Sequence, residues 1–172
     1  MVFFAKKRYN ANKMNRVSRR KQIVLIRKKL CNSCMEKKII STSGAPMPIG
    51  PYNQAVWVGR EDGSGTLFIS GQICIDPATG ELKNKDLQEE THQVMHNLKV
   101  ILQQAGMDFS DVVKTTIFIT DMNRFSEMNE VYGKYFGDNL RTGNAGFPAR
   151  ETVQVTALPK FVNVEISMIA AK

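Results

Sequence analysis

The chain has 172 residues, 42% hydrophobic and 23% charged, which suits one globular domain with a sizeable core. Thirteen of the 24 Lys/Arg and one of the 16 acids lie in residues 1–38, so that segment carries +12; the remaining eleven bases and fifteen acids leave −4 on the rest. No apolar run reaches the ~18 residues a bilayer span needs, and three cysteines (Cys31, Cys34 and Cys74) do not make a secreted disulfide scaffold, so reducing surroundings are expected.

Residues 1–34 contain no acid, no Gly, no Pro and no clear period. The apolar stretch Ile23-Val24-Leu25-Ile26 is shorter than the ~7–15 residues of a secretory h-region. Three readings stay open: an unstructured extension, an organelle transit segment, or a basic arm touching RNA or an anionic membrane surface. The location is therefore expected to be cytoplasmic, or an organelle if the extension is a targeting segment. Cys31-Asn32-Ser33-Cys34 is a lone C-x-x-C with no second ligand pair at zinc spacing and no strand–helix context for redox work.

The domain proper is expected from Met35 to Lys172. Lys38–Ser41 is a short strand candidate, and Gly44–Pro51 is a loop dense in Gly and Pro. Ala55–Gly59 and Thr66–Ser70 are predicted strands joined by the polar, glycine-rich hairpin loop Arg60–Gly65. Asp76–Gly80 is a turn. Leu87–Ala105 is a predicted helix with Val94, Leu98, Ile101, Leu102 and Ala105 on one face and Gly106 as its stop. Val112–Thr120 is a strand rich in β-branched residues. Asn123–Phe136 is a second helix with Phe125, Met128, Tyr132, Tyr135 and Phe136 on its inner side. After the polar stretch Asp138–Gly146 come two closing strands, Arg150–Ala157 and Val162–Ala170, joined by Leu158-Pro159-Lys160-Phe161.

This order predicts an α+β domain with a mixed sheet and both helices on one face. Two helices cannot cover both faces of so wide a sheet, so the other must be polar or bury itself against another subunit. In the closing strands, alternation sets Arg150, Thr152, Gln154 and Thr156 opposite Glu151, Val153, Val155 and Ala157, and Asn163, Glu165 and Ser167 opposite Val164, Ile166 and Met168. The apolar side of each strand suits the helices. If Arg150 and Glu165 share a sheet face, they project away from the helices.

Arg150 and Glu165 are costly to bury alone, so they form either a structural ion pair or a site for a charged ligand. The Arg150 fork matches a carboxylate at two points, and partial burial would raise Glu165 toward acid–base work. Tyr52, after Gly50-Pro51, can close a small pocket or be an ordinary loop tyrosine. Ser70-Gly71-Gln72 ends a strand where a hydroxyl and bare amides can face a ligand, although Ser70 alone reads as ordinary. His92 and His96 have metal-capable spacing without H-E-x-x-H or a third ligand, which leaves them as a solvated helix face. There is no G-x-S-x-G elbow, P-loop or dinucleotide fingerprint.

Ile49-Gly50-Pro51-Tyr52-Asn53-Gln54-Ala55, Ile69-Ser70-Gly71-Gln72-Ile73, Lys114-Thr115-Thr116-Ile117-Phe118, Phe147-Pro148-Ala149-Arg150, Ala157-Leu158-Pro159-Lys160 and Val164-Glu165-Ile166 occur in that order. Together they resemble the Rid family (the RidA subgroup, also called YjgF-like or L-PSP-like) over essentially Met35 to Lys172. The resemblance implies a chorismate-mutase-like fold assembled as a homotrimer with three intersubunit clefts. It implies hydrolysis of enamine/imine intermediates such as 2-aminoacrylate and 2-iminobutanoate to 2-oxo acids and ammonia, with no metal or organic cofactor. By resemblance, Arg150 clamps the substrate carboxylate, Glu165 positions or activates water, and Tyr52, Ser70, Gly71, Asn129 and Thr152 line the cleft. Thr152 stands where many relatives carry cysteine, so regulation through a thiol there is not expected. Loops 60–65 and 138–146 are longer than usual, which bears on substrate range. Two other classes remain: an RNA-acting protein of the endoribonuclease or translation-inhibitor kind, against which the −4 body argues, and a trimeric binding or chaperone-like protein without turnover.

Overall fold

A computed structural model describes residues 35–136 and 146–172. The basic extension with Cys31 and Cys34, and all of the 138–146 stretch except Gly146, lie outside the described residues. The elements are β1 (Glu36–Ile40), β2 (Ala55–Gly59), β3 (Gly65–Gln72), α1 (Leu87–Gln104), β4 (Val112–Ile119), α2 (Phe125–Lys134), β5 (Ala149–Gln154) and β6 (Val164–Ala171). They form an α+β domain with one mixed six-stranded sheet, and every strand and helix expected from the periodicity is present.

α1 is set at both ends by its own sequence. The Asp86 side chain accepts from Glu89 N at 2.8 Å, and Glu89 Oε2 accepts from Lys85 N at 2.9 Å, so donors at the helix start are satisfied reciprocally. Gly106 takes a φ of 70°, which only glycine adopts without penalty, while Gly106 N and Met107 N donate to Gln103 and Leu102 carbonyls. Between these caps Leu87, Val94, Met95, Leu98, Ile101 and Leu102 are fully buried. At roughly 2 kcal/mol for each large side chain removed from water, that stripe outweighs any intrinsic helix preference. α2 begins later than the expected Asn123: a 3-10 turn spans Met122–Arg124 because Asp121 accepts from Asn123 N at 3.0 Å and caps the turn first. It buries Met128, Val131 and Tyr132, and Phe136 follows it into the core.

The strand order is β1-β2-β3-β6-β4-β5. The two closing strands are therefore not neighbours: β6 enters between β3 and β4, antiparallel to both, and β5 lies outside β4 and parallel to it. A parallel pair needs a crossover, and α2 occupies it. The start of β6 is tied to α1 by Glu90, a fully buried carboxylate that accepts from Asn163 N at 2.8 Å and Asn163 Nδ2 at 2.6 Å.

Both helices pack on one sheet face, as expected, and on β6 the apolar set Val164, Ile166, Met168 and Ala170 turns toward them. On β5 the expected orientation is reversed. Arg150 is in register with Thr115, which is buried under Tyr132 of α2, so Arg150 lies on the helix face. Val153 faces the other way, beside Phe118, and is 44% exposed. The reason is the edge position. Alternation says which residues share a face, but on a strand that is mostly exposed on both sides, apolar content does not choose the face. There the stacking of a guanidinium on α2 aromatics decides. The uncovered face carries Phe68 and Val153 at its surface, together with an ion pair between Lys114 and Glu151.

Candidate functional site

Arg150 is held by three residues of one helical face. Its Nη1 donates to Asn129 Oδ1 at 2.8 Å, and its guanidinium carbon lies 5.4 Å from the Phe125 ring centroid and 5.0 Å from that of Tyr132. Positions 125, 129 and 132 follow the i, i+4, i+7 spacing that aligns side chains along a helix. Stacking orients the guanidinium without consuming its donors, and no carboxylate pairs with it among the described residues. Burial raises the Tyr132 phenol, an effect opposed by its hydrogen bond to Thr115 and by the nearby Arg150 charge. A cavity of about 500 Å³ opens here, lined by Asn129, Tyr132, Gly133, Phe147, Pro148 and Arg150.

Glu165 belongs to a second cavity of about 210 Å³, lined by Ile49, Tyr52, Ser70, Gly71, Ile73, Pro159 and Glu165. β3 shifts register between Ile69 and Gln72, and this irregularity brings Ser70 and Gly71 to the cavity wall. The Glu165 carboxylate lies directly against Gly71, where even a methyl group would overlap it. Glu165 is half-buried, burial pushes its carboxyl upward, and it accepts no hydrogen bond among the described residues. The loop carrying Tyr52 is pinned by Gln54, whose amide donates to the carbonyls of Thr42, Ala45 and Pro46 and accepts from Thr42 N. Tyr52 Oη accepts from Ile49 N at 3.2 Å, and Ser70 Oγ donates to Asn53 O at 2.7 Å.

The residues singled out from sequence thus fall into two groups. Arg150 and Asn129 meet on the helix side; Tyr52, Ser70, Gly71 and Glu165 meet on the open side. Thr152 joins neither: it follows Arg150 on the helix face, with its hydroxyl oxygen buried and without a hydrogen-bond partner among the described residues. Arg150 and Glu165 are registered with Thr115 and Phe118 on opposite sides of β4. Two strand spacings and three residues put their Cα atoms roughly 14 Å apart, so one chain cannot pair them. His92 Nδ1 sits 3.1 Å from Tyr135 Oη, and no group of three or more His, Cys, Asp or Glu among the described residues could hold a metal.

Several residues that hold Arg150 or wall the Glu165 cavity were not singled out as site residues from sequence. Phe125 and Tyr132 read as core; their shared helical face with Asn129 was the available signal for an arginine rest. Ile49, Ile73 and Pro159 come from three distant segments, and no local pattern joins them.

Comparison with known proteins gives concordant matches. The family model described as Endoribonuclease L-PSP matches residues 42–172. A RutC family protein of Pyrococcus horikoshii is 48% identical over 136 residues, covering 79% of this chain and 98% of its own. The human 2-iminobutanoate/2-iminopropanoate deaminase is 45% identical over 138 residues, covering 80% and 92%. The crystal structure of Escherichia coli TdcF with bound serine superposes with a TM-score of 0.68 at 43% identity, over 78% of this chain and 98% of that one.

Proposed function

The chain belongs to the Rid family, the L-PSP or YjgF-like proteins, and from that premise we propose that it hydrolyses 2-imino acids and their enamine forms to 2-oxo acids and ammonia. The observation that carries this reading is the state of Arg150. Its guanidinium is oriented by Phe125, Tyr132 and Asn129, yet no acid among the described residues neutralises it. Such a group is prepared for a ligand carboxylate. A relative that holds serine, itself an α-carboxylate, fits the same chemistry.

Glu165 supplies the other half. A half-buried carboxylate without a donor of its own can take a proton from a water attacking the C=N carbon and return one to the leaving ammonia. A four-carbon substrate cannot bridge ~14 Å across two sheet faces, so the halves must come from different copies. We therefore assign the active unit to a homotrimer in which the Arg150 cavity of one chain meets the Tyr52–Glu165 cavity of the next. The uncovered sheet face, with Phe68 and Val153 exposed, suits burial against a second copy. Tyr52, Ser70, Gly71 and Asn129 then line the cleft, and Thr152 flanks it.

The test couples the purified protein to a threonine dehydratase and follows 2-oxobutanoate formation. Acceleration that Arg150→Ala removes is expected. No acceleration, or undiminished activity in the variant, overturns the reading. The family description also names an endoribonuclease; eleven bases against fifteen acids in residues 39–172 disfavour a phosphate backbone, and incubation with RNA in parallel reads that alternative directly.

A further inference from the structure

The Glu165 cavity contains three polar side chains, and their protons are differently committed. Ser70 already donates its hydroxyl proton to Asn53 O. Tyr52 keeps a free O–H, its oxygen being engaged by Ile49 N, but a phenol is a far weaker acid than a carboxylic acid. The Glu165 carboxyl has no partner among the described residues and is free to give or take a proton. Facing it are the apolar walls Ile49, Ile73 and Pro159. With the substrate carboxylate at Arg150 and C2 beside Glu165, the substrate's carbon chain has these walls to lie against, which sets C3 next to the Glu165 carboxyl.

We infer that the site also catalyses the step before hydrolysis, the tautomerisation of enamine to imine, with Glu165 as the acid that protonates C3. This inference rests on the hydrolytic reading of the same cavity. Protonated Glu165 gives its proton to C3; the C2=C3 electron pair forms the new C3–H bond, and the nitrogen lone pair forms C2=N. The products are an iminium and a Glu165 carboxylate. That carboxylate is the base the next step requires: it takes a proton as water adds to C2. Collapse of the carbinolamine then moves a proton from Glu165 to nitrogen as ammonia leaves, while the hydroxyl proton returns to Glu165. Atoms and charge balance, and the residue ends as it began. Burial favours the acid form that the first step consumes.

The experiment uses the full chain in D2O. Threonine dehydratase releases the four-carbon enamine, and a lactate dehydrogenase at once reduces the oxo acid to 2-hydroxybutanoate, whose C3 configuration is read by NMR. Without the protein, solvent delivers deuterium to either face, and that mixture is the baseline. With it, one C3 diastereomer is expected in excess by about tenfold, a difference of ~1.4 kcal/mol between faces, and Glu165→Gln is expected to restore the baseline. In a second arm an amino-acid oxidase acting on 2-aminobutanoate supplies the imine directly, with C3 already saturated. Faster hydrolysis there together with baseline stereochemistry in the first arm overturns this inference and leaves the hydrolase standing. A stereochemical excess without faster hydrolysis supports the tautomerase and overturns the hydrolase. The decisive readout is on the unmodified protein, so it does not depend on the variant folding.

Discussion

A Cβ added to Gly71 would overlap Oε1 of Glu165 and lie 2.7 Å from its carboxyl carbon. This glycine is present for close approach rather than for an unusual backbone angle. Gly71→Ala is therefore expected to displace the Glu165 carboxylate while the sheet still forms. Imine hydrolysis should fall about 100-fold, the usual scale for a misplaced catalytic group, with far-ultraviolet circular dichroism unchanged. Full activity in the alanine variant would show that Glu165 works from another position.

Burial without a partner raises the Glu165 carboxyl above its ordinary value of 4.5. A raised folded-state value means that the folded chain holds the proton more tightly than the unfolded chain. The contribution to stability is thus fully present below pH 4.5 and is lost as pH rises through the folded-state value. Glu165→Gln, which keeps the shape and removes the charge, should match the unmodified protein near pH 4 and exceed it at pH 7. Urea titrations at both pH values measure this, and a Gln variant less stable at pH 7 contradicts it. Hydrolysis of a preformed imine runs the other way: it needs the carboxylate and should decline as pH falls through the raised value.

Arg150→Lys preserves charge and loses the planar fork. Lysine can neither stack flat on Phe125 and Tyr132 nor engage a carboxylate at two points. The expected loss in kcat/KM is about 100-fold, or ~2.7 kcal/mol, with the melting temperature falling by only about 2–4 °C, because stacking of an exposed guanidinium contributes ~0.5–1 kcal/mol. Retention of more than half the activity would mean that charge alone suffices.

Cys74 is fully buried, and burial, reinforced by the Glu90 and Glu89 carboxylates, pushes its thiol up to about 12. In a Cys31→Ser/Cys34→Ser background the single remaining thiol should resist disulfide reagents at pH 8 and react fully in denaturant. Rapid labelling of the native protein would point to local opening between α1 and the sheet.

Lys160 and Phe161 have φ angles of 56° and 57°, and Phe161 is 89% exposed. Left-handed backbone costs a side-chain-bearing residue ~1–2 kcal/mol, and the extra freedom of unfolded glycine offsets ~0.5–1 kcal/mol of any relief. Phe161→Gly should therefore raise the melting temperature by about 2–4 °C for each kcal/mol gained, compared at equal protomer concentration. A drop instead would show that a neighbouring copy buries the ring.

Periodicity within each segment was enough to reveal α1, α2, all six strands, the Gly106 stop and the α+β class, because exposure on a regular element repeats with that element's own period. The ordered motifs likewise pointed to Arg150 and Glu165 as residues of interest. Three things depended on the tertiary structure. Insertion of β6 between β3 and β4 rests on contacts between segments far apart in the chain, to which local alternation is blind. The turn of Arg150 toward α2 was decided by Phe125, Asn129 and Tyr132 at a sheet edge where neither strand face is strongly apolar. The walls Ile49, Ile73 and Pro159 converge from three loops around a register shift in β3. Local physics names the charged residues, but only the packed chain sets Arg150 and Glu165 on opposite faces of one sheet, too far apart to neutralise each other.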